Sequence, residues 1–533
     1  MAQPLYSTSF NITHFSGLNQ TGDGYNMNMQ YAREMENVSV EGGSFRPMRE
    51  GLLMPQELTE PIGTLARLHR RYGAETGTLL VAISNGSVFT KELDGDDAWQ
   101  VRYTGLTEND CDWLTYETSR FPEYNPNRTY AAGERCDHTE DDVRRSYRCT
   151  SDIATAEAWN AEHWEAISVT DPIDILLFSN AKDGMFCLYG DNKSVRPIWI
   201  TPAPEIRPTE NIKFGVIARY NERIWGTGID GDPDKLMYST PYDPFNWTAN
   251  ADIPEDGAGD ILQPSWDGDR FLALRQYGDN LLAVKRNSIW RIYGTDPSSF
   301  TMSQQYGGGT IVENTFVVFN DRAYMLGENG MLAYDGTGAY AFQQETIQDL
   351  MQNHVNHAAL DKACAWMRDR TYCLALPVNG SEYCNAILEY NTAERTFALR
   401  TGVSVDSFLS VNERLFYTSA IEPGRVFELQ DRIGPTLFCK WVSGYQDLGM
   451  KSSIKSAFIV YMMVESEAPV ELRVGIRTEK KLKQKIVVTK PGKLNRIQLN
   501  LQGRVFRLEI ESYSAVPFTI AGGIKIDMEL DPD

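Results

Sequence analysis

A five-residue pattern that recurs from residue 221 onward places the strongest constraint on the fold. Each copy has a two-residue polar turn, then an arginine or a polar residue, then in most copies an aromatic residue two positions further on. The four clear copies end at Trp225, Tyr324, Tyr372 and Phe416, and a degenerate copy is centred on Asn280. The third residues of successive copies lie 57, 42, 48 and 44 positions apart. A period of this size is typical of the blades of a β-propeller.

Apolar residues flank these turns on both sides, as they do in a β-hairpin. Phe214 to Ala218 and Ser407 to Val411, for example, precede two of the turns. Such hairpins bury their faces only by stacking on neighbours. Leu79 to Phe89 and Ile173 to Leu188 resemble two further, divergent copies. The sequence therefore predicts an all-β fold, a β-propeller of about seven blades over residues 62–432, with the four aromatic residues at equivalent positions.

Four other segments interrupt or flank the repeat. Residues 121–168 are polar and contain aromatic residues, which indicates a small β module inserted in a blade loop. Residues 1–61 are expected to form an extended segment that docks on the propeller or on neighbouring proteins. The alternating pattern of residues 433–533 predicts a C-terminal β-sandwich. Apolar residues at helical spacing over residues 345–358 predict an amphipathic connector helix.

Composition excludes several classes of function. The chain has 533 residues, with 51 lysine and arginine against 72 aspartate and glutamate residues, so its net charge is −21. This charge gives no net attraction to DNA phosphates or anionic lipid. No apolar stretch approaches the ~20 residues that span a bilayer. The first residues have neither a basic nor an apolar region, so no signal peptide is expected, and the protein is predicted to fold in the cytosol.

Motifs for catalysis or metal binding are absent or weak. The chain has no P-loop, no H-E-x-x-H, no G-x-S-x-G and no dinucleotide-binding motif. Asp230 to Asp234 has carboxylates at alternate positions, as a calcium loop does. Lys235 occupies the position where that loop needs glycine, which favours a plain acidic turn. His354 and His357 could form a metal pair, although a solvated face is favoured. The eight cysteines have no C-x-x-C spacing, so free thiols are expected. We expect no enzyme activity, no metal and no cofactor.

One basic run stands out near the C-terminus. It comprises Lys480, Lys481, Lys483 and Lys485, followed by Lys490, Lys493 and Arg496. One interpretation is a solvated edge strand that lysines protect against aggregation. The other is a surface that docks an acidic partner, with Lys480, Lys481, Lys483 and Lys485 as its candidate residues. Both interpretations stay open from sequence.

The N-terminal and blade motifs resemble those of tailed-bacteriophage tail nozzle or hub proteins, the DNA-stabilisation proteins of the head-to-tail junction. The resemblance lies in residues 15–19 (FSGLN), 31–38 (YAREMENV) and 42–51 (GGSFRPMREG). It continues at residues 236–247 and 288–294 and in the motif GMLAYDG that begins at Gly330. Each motif is short, and their common order along most of the chain carries the resemblance.

The resemblance implies a structural protein of the virion tail, made in the cytoplasm of the bacterial host. Such proteins form a hexameric ring beneath the portal and adaptor, retain packaged DNA and conduct it outward during ejection. Expected partners are therefore other copies of this chain, the portal or adaptor, other tail proteins, and genomic DNA that passes without specific binding. An adsorption protein that binds host-surface glycan is the alternative, and a propeller glycosidase ranks last because the motifs of that class are absent.

The insertion resembles a family 5/12 carbohydrate-binding module. The resemblance lies in Tyr130 to Glu134, Tyr147 to Cys149, Trp159 and Trp164. It implies that Tyr130, Tyr147, Trp159 and Trp164 stack on sugar rings. The other interpretation is that a module of this size needs these aromatic residues for its own core. Exposure of the four rings separates the two.

Overall fold

The computed structural model describes residues 6–72, 75–141, 143–168, 172–191, 193–200, 211–263 and 268–531. These residues divide into two compact units. The first unit contains Met1–Met54, Asn329–Met331 and Ala341–Asp533, and the second contains Pro55–Glu328 and Leu332–Tyr340. Strands dominate both units.

Seven antiparallel sheets of four strands each form the repeat, and we number them as blades 1 to 7 in chain order. Blades 1 to 4 and most of blade 5 belong to the second unit, and blades 6 and 7 belong to the first. The strands are: blade 1, Ile62–Tyr72, Glu75–Ser84, Ser87–Glu92, Gln100–Thr104; blade 2, Asp112–Thr118, Ile173–Asn180, Gly184–Tyr189, Val195–Ile198; blade 3, Val216–Tyr220, Arg223–Thr227, Lys235–Tyr238, Gly259–Leu262; blade 4, Phe271–Tyr277, Asn280–Lys285, Ile289–Tyr293, Thr301–Gln304; blade 5, Val317–Phe319, Arg322–Gly327, Gly330–Tyr334, Ala339–Ala341; blade 6, Cys364–Arg368, Thr371–Leu376, Cys384–Asn391, Thr396–Val405; blade 7, Phe408–Val411, Arg414–Thr418, Val426–Leu429, Leu52–Leu53.

The repeated sequence pattern forms the first hairpin of its blade. Trp225, Tyr324, Tyr372 and Phe416 all lie on the second strand, all are buried, and each pairs with a residue of the first strand. The first turn residue has positive φ in each case, for example 49° at Asn221 and 50° at Asn412. Two-residue hairpin turns need this conformation, which explains the asparagine and aspartate there.

Three of the four aromatic residues share one position on the second strand of the blade. Trp225, Tyr324 and Phe416 are each the third residue of that strand, so their predicted equivalence is confirmed. Tyr372 is the second residue of its strand, because the turn of blade 6 is formed by Asp369 and Arg370, one position later in the pattern. Its side chain therefore points to the other face of its blade, and the prediction is wrong for Tyr372.

Consecutive blades pack face to face because both faces of the middle strands are apolar. In blade 4, Leu281 and Ala283 lie in a hydrophobic cluster with Trp225 of blade 3. The alternate residues Leu282 and Val284 lie in another cluster with blade 5. Similar clusters join blade 1 to 2, 2 to 3 and 6 to 7. The fold is therefore an all-β propeller with seven blade sheets, as predicted, an inserted β module and a C-terminal sandwich.

The sandwich consists of two sheets to which the N-terminal segment contributes. The first sandwich sheet has the order Tyr6–Ile12, Phe518–Asp531, Ile454–Ser466, Leu494–Gly503; the second has Ala32–Glu36, Cys439–Ser443, Phe506–Ser512, Glu471–Thr478, Leu482–Val488. The short strands Val38–Ser39 and Arg46–Pro47 pair with each other. Between the sheets, the ring of Phe15 contacts those of Phe45 and Trp441 at 5.5 and 5.3 Å. The N-terminal segment therefore belongs to the core of the sandwich, and it also supplies the fourth strand of blade 7.

The connector helix predicted over residues 345–358 is confirmed over most of its length and is wrong at its end. A 3-10 stretch at Gln344–Ile347 and a π-helical stretch at Leu350–His354 are joined by two residues in α-helical conformation, and Val355 is extended. A separate 3-10 turn follows at His357–Lys362. Ile347, Leu350 and Val355 are buried, as the apolar spacing predicts. The remaining described 3-10 turns are Glu41–Gly43, Ala161–His163, Pro254–Asp256 and Glu313–Thr315.

A buried ion network ties the N-terminal segment to blades 6 and 7. Arg400 is fully buried, and its Nε donates to Glu389 at 2.7 Å. Its other nitrogens donate to both oxygens of Asp431, at 2.9 and 3.0 Å, and to the carbonyl of Arg49 at 2.9 Å. Arg368 bridges the same two carboxylates, at 2.6 and 3.2 Å. The guanidinium of Arg400, in blade 6, thus binds a carboxylate that follows blade 7 and a carbonyl of the N-terminal segment.

We predict that Arg400→Met destabilises the first unit by ~3 kcal/mol, because it leaves the buried carboxylate of Glu389 and the half-buried carboxylate of Asp431 beside one remaining arginine. Urea unfolding followed by tryptophan fluorescence measures the change. The control is Arg395→Met, an exposed arginine whose loss should cost less than ~0.5 kcal/mol. Equal stability of the two variants would contradict the role assigned to Arg400.

Acid should weaken the same network. Burial raises the pKa of Asp431, but Arg400, Arg368 and the backbone N–H of Arg49 outweigh burial and hold this pKa at about 2. An unfolded aspartate has a pKa of ~3.9, so the stabilisation is complete above that pH and is lost as the pH falls towards 2. Asp431→Asn should be less stable at neutral pH and show a shallower loss of stability over this range. Asp252→Asn, at an exposed position, should retain the wild-type pH profile.

Candidate functional site

The inserted module is a three-stranded antiparallel sheet between the first and second strands of blade 2. Its strands are Arg135–Glu140, Val143–Cys149 and Trp164–Ile167. Tyr124, Tyr130, Cys136, Cys149, Ile153 and Trp164 form its hydrophobic core. Cys136 and Cys149 lie on the paired strands and are free thiols. The module therefore has a core of its own.

Two of the four predicted sugar-binding aromatic residues belong to that core. Tyr130 is 4 % exposed and Trp164 is 6 % exposed. Tyr130 stacks on Tyr124 with ring centres 5.2 Å apart, and the edge of Trp164 meets Tyr130 at 5.0 Å. Burial leaves neither ring a free face, so the assignment of Tyr130 and Trp164 to sugar stacking is corrected. They are needed to fold the module.

The other two, Tyr147 and Trp159, are half-buried at the border of the core. Their rings meet edge to face at 4.8 Å. The ring of His138 stacks on that of Trp159 with centres 4.0 Å apart, and Trp164 also stacks on Trp159, at 5.5 Å. Glu123 Oε1 lies 4.0 Å from His138 Nδ1. These residues form a partly exposed patch with a polar edge, which we call the aromatic patch. His138 was not predicted from the sequence as a member of this patch, because nothing in its spacing links it to Trp159.

The other face of the module sheet is anchored to the blades by ion pairs. Arg144 contacts Asp137 of the module at 2.9 Å and Asp243 of blade 3's long loop at 2.5 Å. Burial opposes the charge on Arg144, but Asp243 and Asp137 outweigh it and raise the pKa of the guanidinium. Arg135 pairs with Asp191, and Arg196 with Glu134. The module is therefore fixed to blades 2 and 3 by charged contacts as well as by its two chain connections.

An open cleft of about 590 Å³ lies beside the Arg144–Asp243 pair. Arg120, Tyr242, Asn246 and Asn250 are among its lining residues. Tyr242 is 68 % exposed and has φ of 61°, a conformation that is unusual for a tyrosine. The cleft is polar, and the aromatic ring that lines it, that of Tyr242, belongs to blade 3 and not to the module.

The predicted docking lysines lie on or beside an edge of the sandwich. Leu482–Val488 is the last strand of its sheet and pairs with Glu471–Thr478. Lys480, Lys481, Lys483 and Lys485 are exposed, and none forms an ion pair with a described residue. Lys483 and Lys485 lie opposite the buried Ile476 and Val474, so they share the inner face of the strand pair.

This geometry supports the edge-protection interpretation for two of the four. Inward-pointing lysines on an edge strand block the addition of another strand. The Nζ of Lys483 also donates to the carbonyl of Asn500 at 3.0 Å, on the edge strand of the other sandwich sheet. A docking role for the lysines stays a prediction.

The remaining candidates have ordinary structural partners. His354 Nδ1 lies 2.9 Å from Asn379 Oδ1, and His357 Nε2 lies 3.0 Å from the carbonyl of Met351. In the part of the chain that the structure describes, no group of three or more His, Cys, Asp or Glu side chains is arranged to hold a metal ion. Over the same residues, no helix is long and apolar enough to cross a membrane.

Comparison with known proteins relates the chain to propeller structures only distantly. No family model and no curated protein matches the sequence. The WD40 domain of Neurospora crassa Pan2 has 12% identity, a TM-score of 0.28, and coverage of 60% of this chain and 97% of that chain. BBS1N in complex with ARL6DN has 11% identity, a TM-score of 0.28, and coverage of 72% and 98%. The exo-β-1,3-galactanase of Phanerochaete chrysosporium has 8% identity, a TM-score of 0.20, and coverage of 78% and 100%. Likenesses this weak carry no argument about function.

Proposed function

We propose that this chain is a non-enzymatic structural protein of a bacteriophage tail, the nozzle or hub ring beneath the portal and adaptor. The observation that carries the proposal is the position of the N-terminal residues on which the resemblance rests. Phe15 and Phe45 lie in the sandwich core, and Asn37, at φ 53°, is buried. The Asn37 amide donates to Thr401 and to the carbonyl of Phe438. The residues that resemble the nozzle proteins are thus those that join the N-terminal segment to the sandwich and to blade 6.

The inner side of the blades bears on how DNA would pass. The first strands of consecutive blades in the second unit contact one another and form this inner side. Arg275 on the first strand of blade 4 forms a two-bonded ion pair with Asp112 on that of blade 2, at 3.2 and 3.3 Å. Asp112 also accepts the N–H of Ile217 in blade 3. The ion pair thus links the inner strands of blades 2 and 4. In the proposed assembly, DNA passes through a lumen among several copies.

The charge of the chain suits such a lumen. With a net charge of −21, its surface repels phosphates at short range, where salt screens little. DNA would then slide past without adhering. In the proposed assembly the protein is made in the host cytoplasm and ends in the virion tail.

The proposal predicts six copies of this chain per tail complex. Native mass measurement of tail complexes from purified virions, with the portal as internal standard for copy number, gives the count. One to three copies would contradict a hexameric ring. Incubation of the purified chain with a panel of bacterial polysaccharides should release no reducing sugar, and sustained release would favour the glycosidase that we rank last.

The aromatic patch favours a second candidate function, adsorption to host glycan. Half-exposed aromatic side chains can contact the C–H surfaces of sugars, and the polar edge at His138 and Glu123 supplies hydrogen-bonding groups. The ring of Trp159 is itself stacked by His138 and Trp164, so a sugar would meet the exposed border of the patch. A tail ring whose module binds glycan would combine both functions.

For this candidate we predict that Trp159→Ala weakens binding to an array of bacterial surface glycans about tenfold, because it removes the half-exposed ring that holds the patch together. Tyr293→Ala removes a comparably exposed ring from blade 4 and should leave binding unchanged. Trp164→Ala is expected to unfold the module, and protease sensitivity of residues 121–168 identifies that effect. Undiminished glycan binding by a folded Trp159→Ala chain would contradict the assignment.

A further inference from the structure

Charge is divided unevenly along the chain. Residues 433–533 hold 15 lysine and arginine residues against 11 aspartate and glutamate residues, whereas residues 1–432 hold 36 against 61. The C-terminal segment is therefore basic, and the rest is strongly acidic. Such an asymmetry favours contact between the C-terminal part of one copy and the remainder of another.

The positive charge is concentrated at one border of the sandwich, which we call the basic edge. It is formed by Lys480, Lys481, Lys483, Lys485, Lys490, Lys493 and Arg496, all exposed. The edge strand of seven residues is ~23 Å long. Three apolar side chains lie along or next to it and are more than half exposed, namely Ile486, Val488 and Leu494. Ile486 and Val488 lie on the outer face of the strand, and Lys480, Lys481 and Lys490 flank that strand at its two ends. Cations that flank exposed apolar side chains fit a partner that offers carboxylates beside apolar side chains.

The outer border of blade 3 has that complementary composition, and we call it the acidic edge. Gly259–Leu262 is the last strand of its blade, and Asp260 and Leu262 on it are exposed. Turns at the two ends of this strand contribute the exposed acids Asp230, Asp232, Asp252, Glu255 and Asp256. These five form no ion pair with a described residue. Ile253 and Leu262 are more than half exposed among them.

We propose that the basic edge of one copy binds the acidic edge of blade 3 of a second copy. The contact is head-to-tail, because two different surfaces meet, and repetition of such a contact produces a ring or an open filament. Only the closure into a ring rests on the proposed function. The contact is made by side chains and not by strand addition, because Lys483 and Lys485 point inward along the edge strand.

Charge reversal in the full-length chain tests the contact. Lys481→Glu with Lys490→Glu reverses the basic edge, and Asp230→Lys with Glu255→Lys reverses the acidic edge. We predict that each pair lowers the association constant at least tenfold, measured by sedimentation equilibrium at low ionic strength. Salt should weaken wild-type association, because the charges are exposed and screened within ~10 Å at about 0.1 M. All four substitutions in one chain, or a mixture of the two variants, should restore association.

Controls separate a specific contact from a change in net charge. Arg370→Glu with Arg395→Glu and Glu345→Lys with Glu382→Lys change the net charge equally at exposed positions in the turns of blade 6 and in the 3-10 stretch before it. These controls should associate like the wild type, because none of their positions belongs to either edge, and every variant should melt like the wild type. A wild type that stays monomeric at low salt overturns the proposal, as does failure of the four-substitution chain to associate.

The outcomes also distinguish this inference from the proposed function. Association through these edges by a chain that is absent from tail complexes would contradict the tail role alone. Six copies per tail, with association unaffected by either reversal, would contradict the edge contact alone.

Discussion

The side chain of Arg400 is fully buried and donates to two carboxylates and one backbone carbonyl. Glu389 belongs to blade 6, Asp431 follows the third strand of blade 7, and the carbonyl belongs to Arg49. Three residues after Arg49, at Leu52, the chain begins the fourth strand of blade 7. That strand has only two residues, and such a short pairing has little stability of its own. The ion network therefore holds in place the segment on which completion of the last blade depends.

Local signals made the blades predictable. A two-residue turn with positive φ at asparagine or aspartate, followed by alternating burial, is encoded within about ten residues, so the equivalence of Trp225 and Phe416 follows from the sequence. The fourth strand of blade 7 carries no such signal. Leu52–Leu53 pairs with Phe427 and Glu428, far along the chain, and its two residues are too few to display a period. The apolar spacing near residue 350 predicted a helix there but not its end at His354, because Val355 continues the apolar pattern in an extended conformation.

The module illustrates why a site is harder to predict than a fold. Spacing identifies aromatic residues but does not say which ring faces are free, and burial assigns Tyr130 and Trp164 to the core. The contacts that fix the module were not predicted either. Arg144 reaches Asp243, which is distant in sequence, and each residue by itself looks like an ordinary surface charge. His138 became part of the aromatic patch only when its strand placed it against Trp159.

A chain with a net charge of −21 repels its own copies at a distance, so any assembly must rely on attraction that acts at contact. Salt screening confines both effects to about 10 Å. Two copies that approach with acidic surfaces facing each other therefore repel throughout this range. An orientation that brings the basic edge against acidic side chains becomes favourable only when the surfaces nearly touch. The same charge distribution that would keep DNA from adhering would thus restrict how the copies associate, because most of the surface repels and one border attracts.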